Sequence, residues 1–226
     1  MEKIYDNIHM KNFNYFNLYV IKGTEGDILI DTGFIGIKKE LKKWLDNFNI
    51  KLIILTHAHV DHIWNASYIQ KLYNCDIAIA TNDLENIDNS NINSKPSSKK
   101  YKTWTKLMNW GMHHFIPEKF NINITLYNNQ IINKYGLNLK IIALPGHTNG
   151  SVGILYKDYL FAGDALVNRG KYPTLAFQNQ NNKKAYKSLQ TIINNNPKII
   201  FIGHDKEVIM TDIIKNNLSQ LNFSNN

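Results

Sequence analysis

One cysteine, Cys75, is all the chain contains, and a single thiol excludes an internal disulfide and a cysteine-rich zinc site. No apolar run approaches the roughly 20 residues that cross a bilayer. The opening residues, MEKIYDNIHMKNFNYF, lack the basic-then-apolar order of a secretion signal. Together these absences point to a reducing cytoplasm and to no membrane partner. Acidic residues are outnumbered, 18 Asp and Glu against 26 Lys and Arg, which leaves a net charge of +8. The basic residues are scattered, and even the densest cluster, at 95–102, has no run of five like charges. The surplus therefore reads first as composition in a chain crowded with Asn, Ile and Lys. A nucleic-acid partner is the lesser reading. With 43% hydrophobic and 19% charged residues, the composition is not that of a disordered chain. Its 226 residues suffice for one sizeable core.

What is present is a mixture of strand and helix patterns. Residues 13–31 alternate aromatic and β-branched side chains around Gly23 and Gly26, which predicts two short strands ending at Asp31-Thr32-Gly33. Continuous or alternating apolar runs predict further strands at 52–55, 77–80, 122–126, 131–132, 137–144, 152–156, 159–161 and 199–202. Helical spacing predicts helices over 37–48, 63–73, 101–112, 182–194 and 211–221. Residues 82–100, rich in Asn, Ser and Lys, read as a polar surface loop. Strands in both halves, with helices in each, fit an α+β domain of two mixed sheets covered by helices on their outer faces. No linker divides residues 1–226, so a single domain is expected, with 83–120 as a cap or lid.

The eight histidines are unevenly placed. His57, His59 and His62 fall within six residues, with Asp61 between the last two. His147 lies in Pro145-Gly146-His147-Thr148, Asp164 in Gly163-Asp164-Ala165, and His204 in Gly203-His204-Asp205. Each group follows a predicted strand, where several loops converge at one edge of a rigid sheet. Neutral imidazole and carboxylate suit zinc, iron or manganese. In an extended segment H-x-H aims His57 and His59 the same way, and Asp61 and His62, after the turn, can serve a second ion. His9, His113 and His114 have no such context.

In their order, T-H-A-H-V-D-H at 56–62, P-G-H-T at 145–148, A-G-D-A at 162–165 and G-H at 203–204 resemble the metallo-β-lactamase fold hydrolases. Asp31-Thr32-Gly33 fits the same pattern, so the resemblance runs from Tyr15 to His204. It implies an αββα sandwich with a binuclear metal site at one edge. By that resemblance His57, His59 and His147 bind one ion, Asp61, His62 and His204 the other, and Asp164 bridges them. Asp31 and Thr148 are then the groups that hold ligands in orientation. Two divalent ions, zinc first and iron or manganese as the other candidates, would generate a hydroxide nucleophile near neutral pH. Asp61 would orient that nucleophile and pass its proton, and Cys75 would be structural.

The branch is read from departures. Type II glyoxalases carry a helical C-terminal domain, whereas about 22 residues follow His204 here. The Gly-x-Gly-Arg element usual after the bridging aspartate in glyoxalases and persulfide dioxygenases is missing, and Val167 stands where lactonases place a tyrosine. The likeness is to small single-domain members of the glyoxalase II-like branch. The expected activity is hydrolysis of a small ester, thioester or lactone. A phosphodiesterase or nuclease, a mononuclear iron sulfur dioxygenase and a metal-free scaffold are the alternatives, in that order. Trp104, Trp110, Val167, Asn168, Arg169 and Tyr172 are the candidates for the substrate pocket, and a homodimer is a further candidate role for the apolar 101–117 stretch.

Overall fold

In the computed structural model, which describes residues 2–89, 94–112 and 115–221, the apolar runs build two sheets. In the first, Glu2–Tyr5, Ile8–Phe13, Phe16–Lys22, Asp27–Ile30, Ile50–Ile54, Asp76–Ala80 and Ile124–Leu126 lie side by side in chain order. The first four pair antiparallel through short turns. The last four are parallel, and parallel neighbours need crossovers. The helices Lys38–Leu45 and Ala66–Tyr73 supply two of them, and the long segment 81–123 is the third. The second sheet runs Val208–Ile209, Ile199–Phe201, Tyr159–Phe161, Val152–Tyr156, Leu137–Ala143 and Ile131–Lys134.

Residue alternation divides each buried strand between two layers. Ile28, Ile30, Leu52 and Ile54 face Leu139, Ile141, Ile154 and Phe161 between the sheets. Their neighbours Leu29 and Ile53 point outward onto Leu41, Trp44 and Ile69 of the first helical layer. Ile142, Leu160 and Ile200 do the same against Leu189 and Ile192 of Asn182–Asn195 and Leu218 of Asp212–Gln220. Burial on both faces explains why these strands read as continuous apolar runs. The result is the αββα sandwich.

Three features depart from the sequence expectation. Residues 82–100 are not simply a loop: Thr81–Asp83 makes a 3-10 turn, Leu84–Asn89 is helical, and Lys95–Pro96 pairs with Gln178–Asn179. Leu84 and Ile87, at helical spacing among polar residues, pack beside the first helical layer. Glu2–Tyr5, Ile8–Phe13 and Val208–Ile209 are strands the sequence did not announce, each held by pairing with a neighbour. The helix expected over 63–73 is split into Val60–Ile63 and Ala66–Tyr73. At the break, buried Asn65 donates its side-chain amide to the carbonyls of Thr32 and Phe34. His113 and His114 lie outside the described residues.

Candidate metal centre

Asp31 ends its strand in the left-handed region (φ 60°), a conformation that Asp tolerates better than most residues. There its carboxylate accepts from Thr56 N and Thr56 Oγ1, each at 2.8 Å, and from His62 Nδ1 at 2.8 Å. Thr56 gives its hydroxyl proton to Asp31, so its oxygen is left to accept from His57 Nδ1, 3.0 Å away. His147 Nδ1 donates to the Gln178 carbonyl at 2.9 Å, and His204 Nδ1 to the Tyr15 carbonyl at 2.7 Å. Four imidazoles are thus fixed from behind by acceptors, which sets the tautomer and leaves each Nε2 toward the site.

The front atoms converge in three overlapping groups: His57, His59 and His147; His57, His62 and Asp164; and Asp61, His62 and His204. Within each group the candidate ligand atoms lie within 4.8 Å of one another. Asp164 reaches across the set. Its Oδ1 lies 3.5 Å from His62 Nε2, and its Oδ2 lies 3.6 Å from His147 Nε2 and 3.2 Å from His204 Nε2. Asp61 Oδ2 sits 3.3 Å from His204 Nε2. His59 Nδ1 and His147 Nε2 face each other at 2.8 Å. Gly203 permits this approach, because a Cβ there would come within 2.2 Å of Asp164 Oδ1 and 2.6 Å of His62 Cε1.

The Nε2 atoms of His57, His59 and His62 and Oδ1 of Asp164 are buried without a hydrogen-bond partner. Each such group costs about 1–3 kcal/mol unless something takes its lone pair. Imidazole nitrogens and carboxylate oxygens aimed at one another are the donor set of a divalent ion, so the residues present fit a metal centre.

Electrostatics divide the histidines into two kinds. Burial lowers His57, His59 and His147, with His59 at about 3, so these three are neutral above the acid range. Burial also opposes charge on His62, but Asp31, Asp164 and Asp61 outweigh it and raise it to about 10. His204 is raised in the same way by Asp164 and Asp61. Asp61 and Asp164, although desolvated, are held well below the usual carboxylate range by His62 and His204.

Asp83, which the sequence reading passed over except as the start of a lid, is fully buried. Its Oδ2 accepts from Ala58 N and Thr148 Oγ1, and its Oδ1 from Gly150 N, each at 2.8 Å. Ala58 lies between His57 and His59, and Thr148 follows His147, so one carboxylate ties together the two loops of the first cluster. Its position three residues past the strand Asp76–Ala80 was the available signal.

A cavity of about 270 Å³ opens over the cluster, with Phe16, Phe34, Val60, Trp104, Ala176 and Phe177 among its walls. Of the expected pocket residues, Trp104, Val167 and Arg169 border it. Asn168 borders a neighbouring cavity, and Trp110 and Tyr172 border neither. The phenylalanines could not be singled out beforehand, because the first residue of a strand (Phe16) and loops far along the chain bring them there. His9 lies apart, 3.0 Å from Glu2. Cys75 is buried, and burial pushes its thiol up to about 11, which suits packing rather than nucleophilic chemistry.

Comparison with known proteins gives consistent likenesses. A profile of the metallo-beta-lactamase superfamily matches residues 15–204. A probable metallo-hydrolase, MJ0888 of Methanocaldococcus jannaschii, is 32% identical over 165 residues, 70% of this chain and 72% of that protein. A hydroxyacylglutathione hydrolase of Shewanella halifaxensis is 29% identical over 161 residues, again 70% of this chain but 50% of that enzyme, so the match spans about half its length. Among solved structures, the metallo-beta-lactamase family protein TTHA1429 of Thermus thermophilus superposes with a TM-score of 0.71 at 18% identity, covering 96% of this chain and 79% of the other. That likeness is one of fold.

Proposed function

This chain belongs to the metallo-beta-lactamase superfamily of metal-dependent hydrolases, and from that membership we propose that it hydrolyses a small ester, thioester or lactone at a pair of divalent metal ions. The observation that carries the reading is the set of partnerless buried atoms on His57, His62 and Asp164, with His59 Nδ1 facing His147 Nε2 at 2.8 Å and Asp164 in reach of both groups of histidines. In this reading His57, His59 and His147 hold one ion, Asp61, His62 and His204 the other, and Asp164 serves both. Zinc suits the set best. Divalent ions there would supply Lewis acidity, lowering the pKa of water toward about 7 and polarising the attacked carbonyl.

The chain's own residues do the rest. Asp31, Thr56, the Gln178 carbonyl and the Tyr15 carbonyl hold the imidazoles in one tautomer. Asp61 is the more open of the two front carboxylates, 27% exposed at its side chain against 10% for Asp164. It is therefore placed to orient the attacking water and hand its proton outward. The water oxygen bonds to the acyl carbon, the carbon–oxygen or carbon–sulfur bond breaks, and the leaving group takes a proton. Phe16, Phe34 and Phe177 keep bulk water from the acyl group. A phosphodiester reading would rest on the net charge, but rings rather than lysines wall this cavity. The Shewanella relative is named for hydrolysing a hydroxyacyl conjugate, which agrees with an acyl substrate. The test is a panel of thioesters, lactones, phosphodiesters and β-lactams, with bound metal quantified in the same sample. Turnover of acyl substrates at two zinc ions per chain is expected. One iron and no hydrolysis would defeat the reading.

The crossover segment bears on substrate grip. Ser97 N donates to the Phe177 carbonyl at 2.7 Å, and Lys95–Pro96 pairs with Gln178–Asn179. The crossover segment is thereby stitched to the strand whose Gln178 carbonyl fixes His147. Trp104, 53% exposed, borders the cavity and Trp110, 66% exposed, does not. Trp104→Ala is expected to raise KM about tenfold, the order expected for lost contact of a large ring, with both metals retained. Trp110→Ala should stay near wild type. Equal effects from the two would count against a wall formed by Trp104.

The two kinds of histidine give a proton signature. At pH 8 the metal-free protein carries protons on His62 and His204, whose folded values are raised, and none on His57, His59 or His147, whose values are lowered. A raised value stabilises the fold below the ordinary histidine range, and this contribution fades as pH rises through about 10 for His62. Zinc titration at pH 8 in buffers of different ionisation enthalpy should therefore show proton release on filling the second site. His204→Ala should release one proton fewer per chain. Release unchanged by that variant would contradict the assignment.

A further inference from the structure

The helix Lys102–Met112 is amphipathic in the opposite sense to a core-facing helix. Helices of a folded domain turn their apolar stripe inward and their polar face to water. Here Thr105, 2% exposed, and half-buried Asn109 face the protein, and Asn109 donates its side-chain amide to the Ser94 carbonyl at 2.9 Å. Trp104, Leu107 and Trp110 recur at every third position, which sets them on one stripe. All three stand outward, with Leu107 56% exposed between the two rings. The facing is held at the start of the helix, where the Tyr101 ring packs against Phe177 with centroids 4.6 Å apart. An apolar stripe turned to water on an anchored helix marks an interaction surface.

The charge around the stripe is of one sign. No Asp or Glu occurs between Asp88 and Glu118, whereas Lys95, Lys99, Lys100, Lys102 and Lys106 do, and all five are exposed. The lysine ion pairs of the described residues include none of them. Lys102 and Lys106, one turn apart, flank the stripe along one side. A second copy of the chain would bring the same lysines face to face with no acid between them, which disfavours a two-fold contact here. A nucleic acid would satisfy the lysines but offers Leu107 no apolar partner of its own kind. Indole rings and an aliphatic side chain flanked by lysines are instead the composition of a helix that lies in the headgroup layer of a membrane. We propose that the outer face of Lys102–Met112 docks on an anionic phospholipid surface. Trp104, Leu107 and Trp110 enter the boundary of the acyl chains, and the lysines meet lipid phosphates. A helix lying in that plane needs no spanning run, so the lack of one bears on insertion and not on docking. Trp104 also borders the metal-side cavity, so docking sets the mouth of that cavity against lipid. The inference goes beyond the hydrolase reading and does not depend on it.

The experiment sediments the full chain with two kinds of vesicle, phosphatidylcholine alone and phosphatidylcholine mixed with phosphatidylglycerol, at low and at high salt. Binding to the mixed vesicles is expected, about tenfold or more weaker on the neutral ones and reduced by salt, as lysines near an anionic surface require. Changing Lys99→Gln, Lys102→Gln and Lys106→Gln together should cost about 100-fold in binding, or about fivefold for each lysine. Leu107→Ala and Trp110→Ala should each cost about tenfold, the order of one apolar side chain withdrawn from hydrocarbon. Brominated lipid should quench the tryptophan emission of wild type, and quench Trp110→Phe less. These side chains are exposed, so circular dichroism should show each variant folded as wild type. Absence of vesicle binding would overturn the proposal, and a dimer abolished by Leu107→Asp would then give the face to a second copy. Vesicle binding kept in full by Leu107→Ala and Trp110→Ala would overturn it as well. General positive charge would then be the cause, and an oligonucleotide held through the lysines alone would give the surface to nucleic acid.

Discussion

Asp164→Ala is expected to abolish hydrolysis, with a loss of roughly a thousandfold or more, the order set by removing several kcal/mol of charge stabilisation. In the proposed two-ion reading the ions would repel each other, and a carboxylate in reach of both sets of ligands would offset that repulsion. Asp164 is placed for this. It contacts His62 through one oxygen and His147 and His204 through the other, at 3.2–3.6 Å. Its loss should also lower zinc from two ions per chain, and it should drop the raised affinity of His62 and His204 for protons, because Asp164 helps to hold both up. Gly203→Ala approaches the same point sterically, since its Cβ would meet Asp164 Oδ1 at 2.2 Å. It should impair metal content while leaving every ligand in the chain. Metal analysis and rate measured together are the check. Wild-type zinc and rate in Asp164→Ala would remove the aspartate from the centre.

The second large effect is expected at Asp83, outside the ligand set. Asp83→Ala would strip acceptors from Ala58 N, Gly150 N and Thr148 Oγ1, all buried or nearly so. Two orphaned backbone donors alone cost on the order of 3 kcal/mol, so the midpoint of thermal unfolding should fall. The loops bearing His57, His59 and His147 would lose their common tie. Zinc affinity at that group should fall about 10- to 100-fold, as for other groups that orient ligands, with a smaller change where Asp61, His62 and His204 converge. Asp83→Asn keeps the volume but sets an amide donor against one pair of donors, so it should fall between alanine and wild type. Competition with a chelator, run on both variants, reads the two sites separately. If both ions stayed as tight as in wild type, Asp83 would be a fold residue only.

The legible part of this protein was what short-range chemistry dictates. The apolar runs at 52–55, 77–80 and 152–156 predict strands, and strands stand there within two residues. H-x-H-x-D-H is readable because an extended backbone turns alternate side chains to one side, and the glycines beside His147, Asp164 and His204 announce close approach. Less legible was the interval 82–100, where Leu84 and Ile87 are too few among polar residues to advertise a helix, and the pairing of Lys95–Pro96 with Gln178–Asn179 joins segments about 80 residues apart.

By itself the sequence determined the layers, through the period of its apolar residues, and the seven candidate ligands, through residue type at strand ends. Only the tertiary structure decided what acts on those ligands. The carbonyls of Tyr15 and Gln178 fix two imidazoles, and a backbone oxygen carries no sequence signature. Asp83 reaches the loop after Ile50–Ile54 because that strand pairs with Asp76–Ala80, and the loop after Leu137–Ala143 because the second sheet stacks on the first. Phe34 and Phe177 line one cavity over the candidate metal centre from positions more than a hundred residues apart, and Arg169 borders that cavity with its Nε held by Asp205, beside His204. Local patterning selects which side chains are present and which face they share. The orientation of a lone pair, the tautomer of a ring and the walls of a pocket depend on contacts between distant segments, and those exist only after the sheets have stacked.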